Sequence, residues 1–166
     1  MSHISRASCN FLFIAFVASS LIVGCGRRPE GSAQPAQPSE SSFKDAGSYE
    51  LHFNAVRTDM VKPDVARTYG IERSKNRVML NVTVLRKDAD NIARKAVEAI
   101  VAVSARNLNG QQKSMEIRRV NEGDAIYYIG ETGISGSEIL VFDISATPNN
   151  ESTPITAQLR REFFSD

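Results

Sequence analysis

Apolar and polar residues alternate along most of the chain after residue 48. Within residues 78–85, valine or leucine occupies every second position from Val78 to Val84, which is the pattern of a strand with one buried face. Turn signals such as Asn109-Gly110 separate segments of this kind. The pattern predicts strands over residues 49–55, 78–85, 97–105, 114–120, 125–131, 138–146 and 155–164.

Short strands bounded by turns favour an all-β fold, an antiparallel immunoglobulin-like β-sandwich of about seven strands. A small barrel is the alternative architecture. The chain has no tryptophan, so the buried Trp of antibody domains is missing and the likeness concerns architecture alone.

Two segments depart from the alternation. Residues 63–69 fit one or two helical turns, because Pro63 suits the first turn of a helix and Gly70 suits its end. Residues 91–100 also fit a helix, since Ile92 and Ile100 both lie on one helical face. The valines that follow favour a strand there instead, from about Ala96.

The first 25 residues have the features of a secretory signal. Arg6 precedes an apolar run over residues 11–23, which ends in Gly24 and Cys25. Gly-Cys after such a run resembles the lipobox of bacterial lipoproteins. The resemblance implies cleavage before Cys25 and lipidation of its thiol. The alternatives are cleavage elsewhere and an uncleaved anchor, although the run is shorter than the ~20 residues of a spanning helix.

The chain therefore divides into three predicted parts: a lipoprotein signal peptide over residues 1–24, the lipidated Cys25 with a tether to residue 47, and a domain over residues 48–166. The tether is rich in proline and serine and is expected to be flexible, because it offers little apolar surface to bury. Gly26 follows the lipidated cysteine in place of the Asp that retains lipoproteins in the inner membrane. By resemblance to that sorting rule, we expect the outer membrane, facing the periplasm.

Charge and cysteine content narrow the function classes. The chain has 20 basic and 19 acidic residues, and loss of Arg6 with the signal leaves 19 of each. Bulk positive charge therefore gives no reason to expect nucleic acid as a partner. Cys9 leaves with the signal and Cys25 carries lipid, so the domain has no thiol for a disulfide, a metal or a nucleophile.

Catalytic chemistry finds little support in the sequence. His52 is the one histidine after the signal, and a zinc site needs further imidazole or thiol ligands. A catalytic base needs a positioned partner, which the sequence does not indicate for His52. Asp124 lies in the turn Glu122-Gly123-Asp124. We expect its side chain to cap that turn, and ligation of a cation is the alternative. No catalytic residue, metal or cofactor is predicted.

The polar, basic loop over residues 69–77 is the best candidate for binding. Arginine and lysine on a loop can grip a carboxylate or phosphate. The alternative is a solvated connection whose charges keep a sheet edge from pairing. We expect one composite site that joins Asn54 and this loop to the segment 122–128. Its predicted ligand- or partner-binding residues are Asn54, Tyr69, Arg73, Lys75, Asn76, Asp124 and Tyr128.

Several strings in the domain are unusual. His52-Phe53-Asn54-Ala55, Arg73-Ser74-Lys75-Asn76 and Gly123-Asp124-Ala125-Ile126-Tyr127-Tyr128 resemble an uncharacterised bacterial envelope family, domain of unknown function 4426. The resemblance covers nearly all of residues 48–166 and implies an envelope location, with no activity to carry over. Many members resemble plainly secreted proteins, so the lipobox is a departure.

Three functions remain open at this point. The first is a non-enzymatic interaction domain, lipid-anchored to the membrane through Cys25, whose partner is an envelope protein or a small anionic ligand. The second is a small periplasmic hydrolase or sugar-binding enzyme that uses His52, or Asp124 with Glu122. The third is a structural or assembly factor for other envelope proteins.

Overall fold

Ten β-strands in two sheets make up most of the structure, a computed structural model that describes residues 42–165. The strands in chain order are β1 (Phe43–Ala46), β2 (Tyr49–Arg57), β3 (Arg77–Lys87), β4 (Arg94–Ala96), β5 (Ala99–Asn107), β6 (Gln112–Lys113), β7 (Ile117–Glu122), β8 (Ala125–Gly133), β9 (Glu138–Pro148) and β10 (Ile155–Phe163). Sheet A has the order β1-β2-β3-β8-β7, with β4 also paired to β3, and sheet B has the order β10-β9-β5-β6. Every pair is antiparallel.

The alternating side chains of both sheets meet in one core. On β3, the four side chains from Val78 to Val84 at alternate positions are fully buried, while Met79 and Asn81 between them are half-buried on the outer face. On β9, Leu140, Phe142 and Ile144 face them in the same core cluster. The period of two thus makes one face of each sheet apolar, and burial of these faces holds the sheets together.

The predicted antiparallel sandwich is confirmed, and the two sheets remain separate across residues 42–165, which removes the barrel alternative. The seven predicted strands correspond to β2, β3, β5 and β7 to β10. The three strands that the pattern missed have two to four residues each, too few to show a period. One of them, β1, lies inside the segment predicted as tether, so the pairing begins ahead of residue 48.

The helical turn predicted over residues 63–69 is present as α1 (Pro63–Thr68), preceded by a 3₁₀ turn over Thr58–Met60. Gly70 has a φ of +62°, the left-handed conformation that ends helices and favours glycine. Ala66, Ile71 and Ile129 are buried outside the main core cluster. The carbonyl oxygen of Tyr69, just after α1, accepts a hydrogen bond from Arg118, which lies opposite Ile129 on the outer face of sheet A, so the end of α1 lies against that face.

The helical alternative for residues 91–100 is wrong. Asn91 has a φ of +57° and turns the chain into β4, and β5 begins at Ala99. The preferred strand is therefore confirmed in kind, although it starts a few residues later than expected.

The predicted signal peptide, Cys25 and the tether up to residue 41 lie outside the described residues. Within residues 42–165, none of the helices is long and apolar enough to span a bilayer.

Candidate functional site

The loop over residues 69–77 places its predicted contact residues in different settings. Arg73 turns back onto the 3₁₀ turn, where its Nε donates to the carbonyl oxygen of Val61 (2.8 Å) and its Nη2 to that of Asp59 (2.5 Å). The main chain of Asn76 pairs with Ile134, whose N–H donates to its carbonyl oxygen (2.9 Å). Lys75 is exposed. The loop is thus fixed to its neighbours by its own polar groups.

Tyr69 is held along the outer face of sheet A. Its carbonyl oxygen accepts a hydrogen bond from Arg118 Nη2 (2.5 Å). Its hydroxyl is hydrogen-bonded to the Glu122 side chain, and this bond, with burial as a smaller cause, raises the pKa of Tyr69 to about 12. These contacts give Tyr69 a structural role, because they hold the end of α1 against β7.

Tyr69 at the start of the loop reaches Glu122 of the segment 122–128, but Tyr128 and Asp124 of that segment lie away from the end of the loop. Tyr128 faces the core, 5% exposed, and its hydroxyl accepts a hydrogen bond from the Ala99 N–H (2.7 Å). Asp124 is exposed in the turn between β7 and β8. That turn lies at one end of sheet A, whereas Arg77, where the loop ends, pairs with Gly133 at the other. The structure therefore does not bring the expected residues together as one composite site.

Asn54 lies on a third surface, beside a part of β2 that β1 leaves unpaired within residues 42–165. Its Oδ1 accepts a hydrogen bond from Arg161 Nη1 (2.7 Å), and the same nitrogen donates to the carbonyl oxygen of Ala55 (2.6 Å). β1 pairs with β2 only as far as Phe43 opposite His52. Beyond Phe53, β2 thus has an edge that β1 does not cover, and Arg161 of β10 reaches across to it.

We call this flank of the sandwich the open side: β1 and β2 of sheet A on one wall, and β10 of sheet B on the other. Three clefts lie along it. The first, of about 530 Å³, includes Tyr49 and Glu151. The second, of about 630 Å³, includes Phe43 and Arg160. The third, of about 330 Å³, is lined mostly by apolar atoms and lies between residues 55–60 and 161–164.

Both walls of the open side end in strands with one partner each. β10 pairs with β9 alone, and β1 pairs with β2 alone, within the part of the chain that the structure describes. Each of these strands therefore directs backbone N–H and C=O groups toward the flank that carries the clefts. Large apolar side chains are exposed beside them: Phe43 at 47%, Met60 at 71% and Phe164 at 49%.

A charged cluster on the outer face of sheet A secures β1. The two carboxylate oxygens of Glu50 lie 2.9 Å from His52 Nε2 and 2.9 Å from Arg94 Nε. These hydrogen bonds, that of His52 first, lower the pKa of Glu50. The Phe43 ring stacks on His52 with centroids 5.5 Å apart, which ties β1 to the cluster.

The positioned partner that a histidine base needs is thus present, but its location does not suit catalysis. His52 lies on the outer face of β2, with its side chain 41% exposed, and lines none of the three clefts. Glu122, the suggested partner of Asp124, is engaged with Tyr69. Within residues 42–165, no group of three His, Cys, Asp or Glu side chains is arranged to hold a metal ion.

Sequence reasoning missed the residues that shape the open side, above all Arg161, Met60 and Phe164. Arg160-Arg161 reads as a basic pair on a strand, and Phe164 as the end of one. Only the approach of β10 to β2 gives these side chains a shared surface. The one available signal was the pair of adjacent phenylalanines at the end of the last strand.

Comparison with known proteins gives the family. A family model described as a domain of unknown function, DUF4426, matches residues 43–166. A crystal structure of a DUF4426 family protein from Pseudomonas aeruginosa is similar, with a TM-score of 0.63 and 33% sequence identity over 75% of this chain and 94% of that one. A search of curated proteins found no match. With its sandwich, its strings of unusual sequence and this match in agreement, the chain belongs to the DUF4426 family.

Proposed function

We propose that this protein is a lipid-anchored, non-enzymatic binding domain of the bacterial cell envelope, whose open side receives an extended segment of another envelope protein. The observation that carries the proposal is that, within residues 42–165, two edge strands with one partner each lie on the same flank as a row of clefts. An added strand forms main-chain hydrogen bonds to such an edge, and its alternate side chains enter pockets beside it.

The lining of the first two clefts suits a peptide better than an apolar small molecule. Lys44 and Arg160 supply positive charge, and Glu151 supplies negative charge. Both clefts are wide and open, and together they follow β1 and the first half of β10. An extended chain with mixed polarity matches a surface of this length and charge, so the partner's backbone supplies affinity and its side chains supply specificity.

The anchor is part of the proposal. Two or three acyl chains on Cys25 hold a protein stably to a bilayer, because each buried methylene contributes about 0.8 kcal/mol. Gly26 supports sorting to the outer membrane, facing the periplasm. An anchored domain of this size then searches the nearby periplasm for its partner.

Site-specific photo-crosslinking in whole cells tests the binding surface. A photoreactive amino acid at Lys44 or Thr156, both beside the first two clefts, is expected to capture one reproducible envelope protein. The same group at Ala102, which is exposed on the outer face of sheet B, is the matched control. The captured segment, made as a synthetic peptide, should bind the purified protein. Equal capture at Ala102, or a captured segment that does not bind, would refute the proposal.

Metabolic labelling with a fatty-acid probe tests the anchor. The full chain is expected to incorporate the probe and to fractionate with the outer membrane, and the Cys25→Ala variant is expected to do neither. Continued labelling of that variant would show that the lipid is attached elsewhere.

A further inference from the structure

A lysine, a glutamate and an asparagine form a largely buried cluster in sheet B, where the β5–β6 hairpin meets the start of β9. Lys113 Nζ lies 2.8 Å from both carboxylate oxygens of Glu138. Asn107 Nδ2 donates a hydrogen bond to Glu138 Oε1 (2.8 Å). The amine of Lys113 and the amide of Asn107 are therefore bonded to the same carboxylate, and both contact its Oε1 atom.

The fold shields this cluster from water. The side chains of Lys113 and Glu138 are 14% and 11% exposed, and Asn107 is 8% exposed. Lysine and glutamate side chains are seldom buried to this extent. Two groups that a fold holds side by side react far faster than the same groups free in solution, because their translational freedom is already lost. The burial and the shared carboxylate thus favour a reaction between the amine and the amide.

The side-chain carbonyl of Asn107 is polarised by the hairpin. Its Oδ1 accepts hydrogen bonds from the backbone N–H groups of Asn109 (3.1 Å) and Gln111 (3.0 Å). Two N–H groups on one carbonyl oxygen stabilise the negative charge that this oxygen acquires when a nucleophile adds to its carbon. Nδ2 of the same amide donates to Gln111 Oε1 (3.1 Å) and to Glu138 Oε1. The hairpin therefore presents Asn107 Cγ as an electrophile beside the amine of Lys113.

We propose that Lys113 and Asn107 condense to an intramolecular isopeptide bond, with Glu138 as the catalytic acid and base. Glu138 first takes a proton from Lys113 Nζ, whose lone pair then forms a bond to Asn107 Cγ. Negative charge moves to Oδ1, and Glu138 gives its proton to Nδ2 and takes a second proton from Nζ. The Cγ–Nδ2 bond breaks, and ammonia leaves with the remaining carboxyl proton as ammonium. A secondary amide then joins the two side chains, and the step consumes no oxidant or cofactor.

Before the reaction, the cluster is an ion pair. Burial raises the pKa of Glu138, but the hydrogen bonds from Lys113 and Asn107 outweigh that effect, so the pKa is lowered overall. The neutral amine that attacks is therefore a minor form, and the bond is expected to form slowly after folding. A cleft of about 370 Å³, lined in part by Asn107 and Glu138, lets the ammonia leave, and its loss to solvent makes the bond permanent.

The bond would give the domain a covalent crosslink that does not depend on thiols. The chain has no cysteine after Cys25, so a disulfide within the domain is not available. An amide between Asn107 and Lys113 closes the β5–β6 hairpin and resists reduction. The inference goes beyond the proposed function, since β6 is at the opposite edge of sheet B from β10 and the reaction needs no partner.

Tryptic digestion of the purified full-length protein, followed by mass spectrometry, tests the bond. Trypsin cleaves after Arg106, and acylation of Nζ blocks cleavage after Lys113. The linked protein is therefore expected to give a peptide of residues 107–118 that is lighter than its sequence by one ammonia, about 17 Da. Fragment ions from breaks between Asn107 and Lys113 should be absent, because the ring holds both pieces together. Complete cleavage after Lys113 in protein kept folded for days would overturn the proposal.

Two variants assign the chemistry to Lys113 and Glu138. Lys113→Arg keeps a cation beside the carboxylate but has no amine to acylate, so the mass loss should disappear. Glu138→Gln keeps the shape of the side chain but cannot transfer protons, and the link should form at least about 100-fold more slowly. Linkage at an unchanged rate in Glu138→Gln would refute the catalytic role of Glu138. The digest of the unaltered protein decides whether the bond exists even where a variant does not fold.

A third variant excludes another loss of ammonia. An Asn-Gly sequence such as Asn109-Gly110 also loses ammonia when it forms a succinimide. Asn109→Ser removes that reaction and keeps the backbone N–H that bonds to Asn107 Oδ1. The blocked cleavage and the mass loss should both persist in this variant, and disappearance of both would refute the isopeptide bond.

Discussion

Several backbone N–H groups of this sandwich have their hydrogen-bond acceptor on a single side chain. Tyr128 shows this in the core, since its ring belongs to the apolar cluster while its hydroxyl meets the N–H of Ala99 at the start of β5. Asn107 does the same at a turn, where its Oδ1 accepts from the N–H groups of Asn109 (3.1 Å) and Gln111 (3.0 Å). The polar atoms of these residues bond to other parts of the fold. In the sequence alone, such residues cannot be distinguished from residues that bind a ligand.

Tyr128→Phe is expected to lower the free energy of unfolding by about 1–2 kcal/mol, because the half-buried Ala99 N–H loses its acceptor. Urea denaturation followed by circular dichroism measures the change. Tyr127→Phe is the control, since Tyr127 is on the other face of β8 and is only half-buried. A Tyr128→Phe variant as stable as Tyr127→Phe would show that the bond contributes nothing.

At the scale of elements, β1 depends on contacts outside the core. Its residues are mostly exposed, and it is held by pairing with β2, by the stacking of Phe43 on His52 and by the Lys87–Asp45 ion pair (2.8 Å). A four-residue edge strand of this kind has little apolar surface to bury. It is therefore the part of sheet A that we expect to open most readily.

Phe43→Ala is expected to raise the hydrogen-exchange rate of the Phe53 amide, which donates to Ser42, while the global stability changes by less than about 1 kcal/mol. Hydrogen exchange read by mass spectrometry or NMR measures this. Phe164→Ala is matched in exposure, 49% against 47%, and should leave β1 unchanged. Faster exchange in both variants would point to general loosening in place of a local contact.

At the scale of the whole molecule, the charged groups set limits on stability at both ends of the pH range. Hydrogen bonds from Gln158 and Arg106 lower the pKa of Asp143, and those from His52 and Arg94 lower the pKa of Glu50. Groups with a lowered folded pKa stabilise the fold above their ordinary values and lose that contribution as the pH falls through the folded value. Tyr69 behaves in the opposite sense, because its folded pKa is raised.

We therefore expect stability to fall as the pH drops below about 4.5, the ordinary value of Glu50, and to fall again between pH 10 and about 12 as Tyr69 ionises. Thermal unfolding across the pH range measures both limbs. Tyr69→Phe should flatten the alkaline limb and leave the acid limb unchanged, whereas Glu50→Gln should weaken the acid limb alone. An alkaline limb of equal steepness in the Tyr69→Phe variant would contradict the Glu122 bond.

The sequence by itself determined the class of fold and most of its strands, because a strand between core and solvent must alternate every two residues. It also determined the family, since strings such as Arg73-Ser74-Lys75-Asn76 are specific. It could not determine β1, β4 or β6, whose two to four residues carry no period and whose pairing depends on neighbours distant in the chain.

Only the tertiary structure decided which polar side chains are available to bind a partner. Tyr128, Arg73 and Tyr69 have binding chemistry in the sequence, but the fold directs their polar groups to backbone or side-chain partners. The open side shows the opposite case, in which residues without an evident role in the sequence become neighbours in the fold. Arg161 and Phe164 share a surface with Asn54 because β10 passes beside β2. Local pattern fixes the direction of a side chain within its own strand, whereas its neighbours depend on how the two sheets pack.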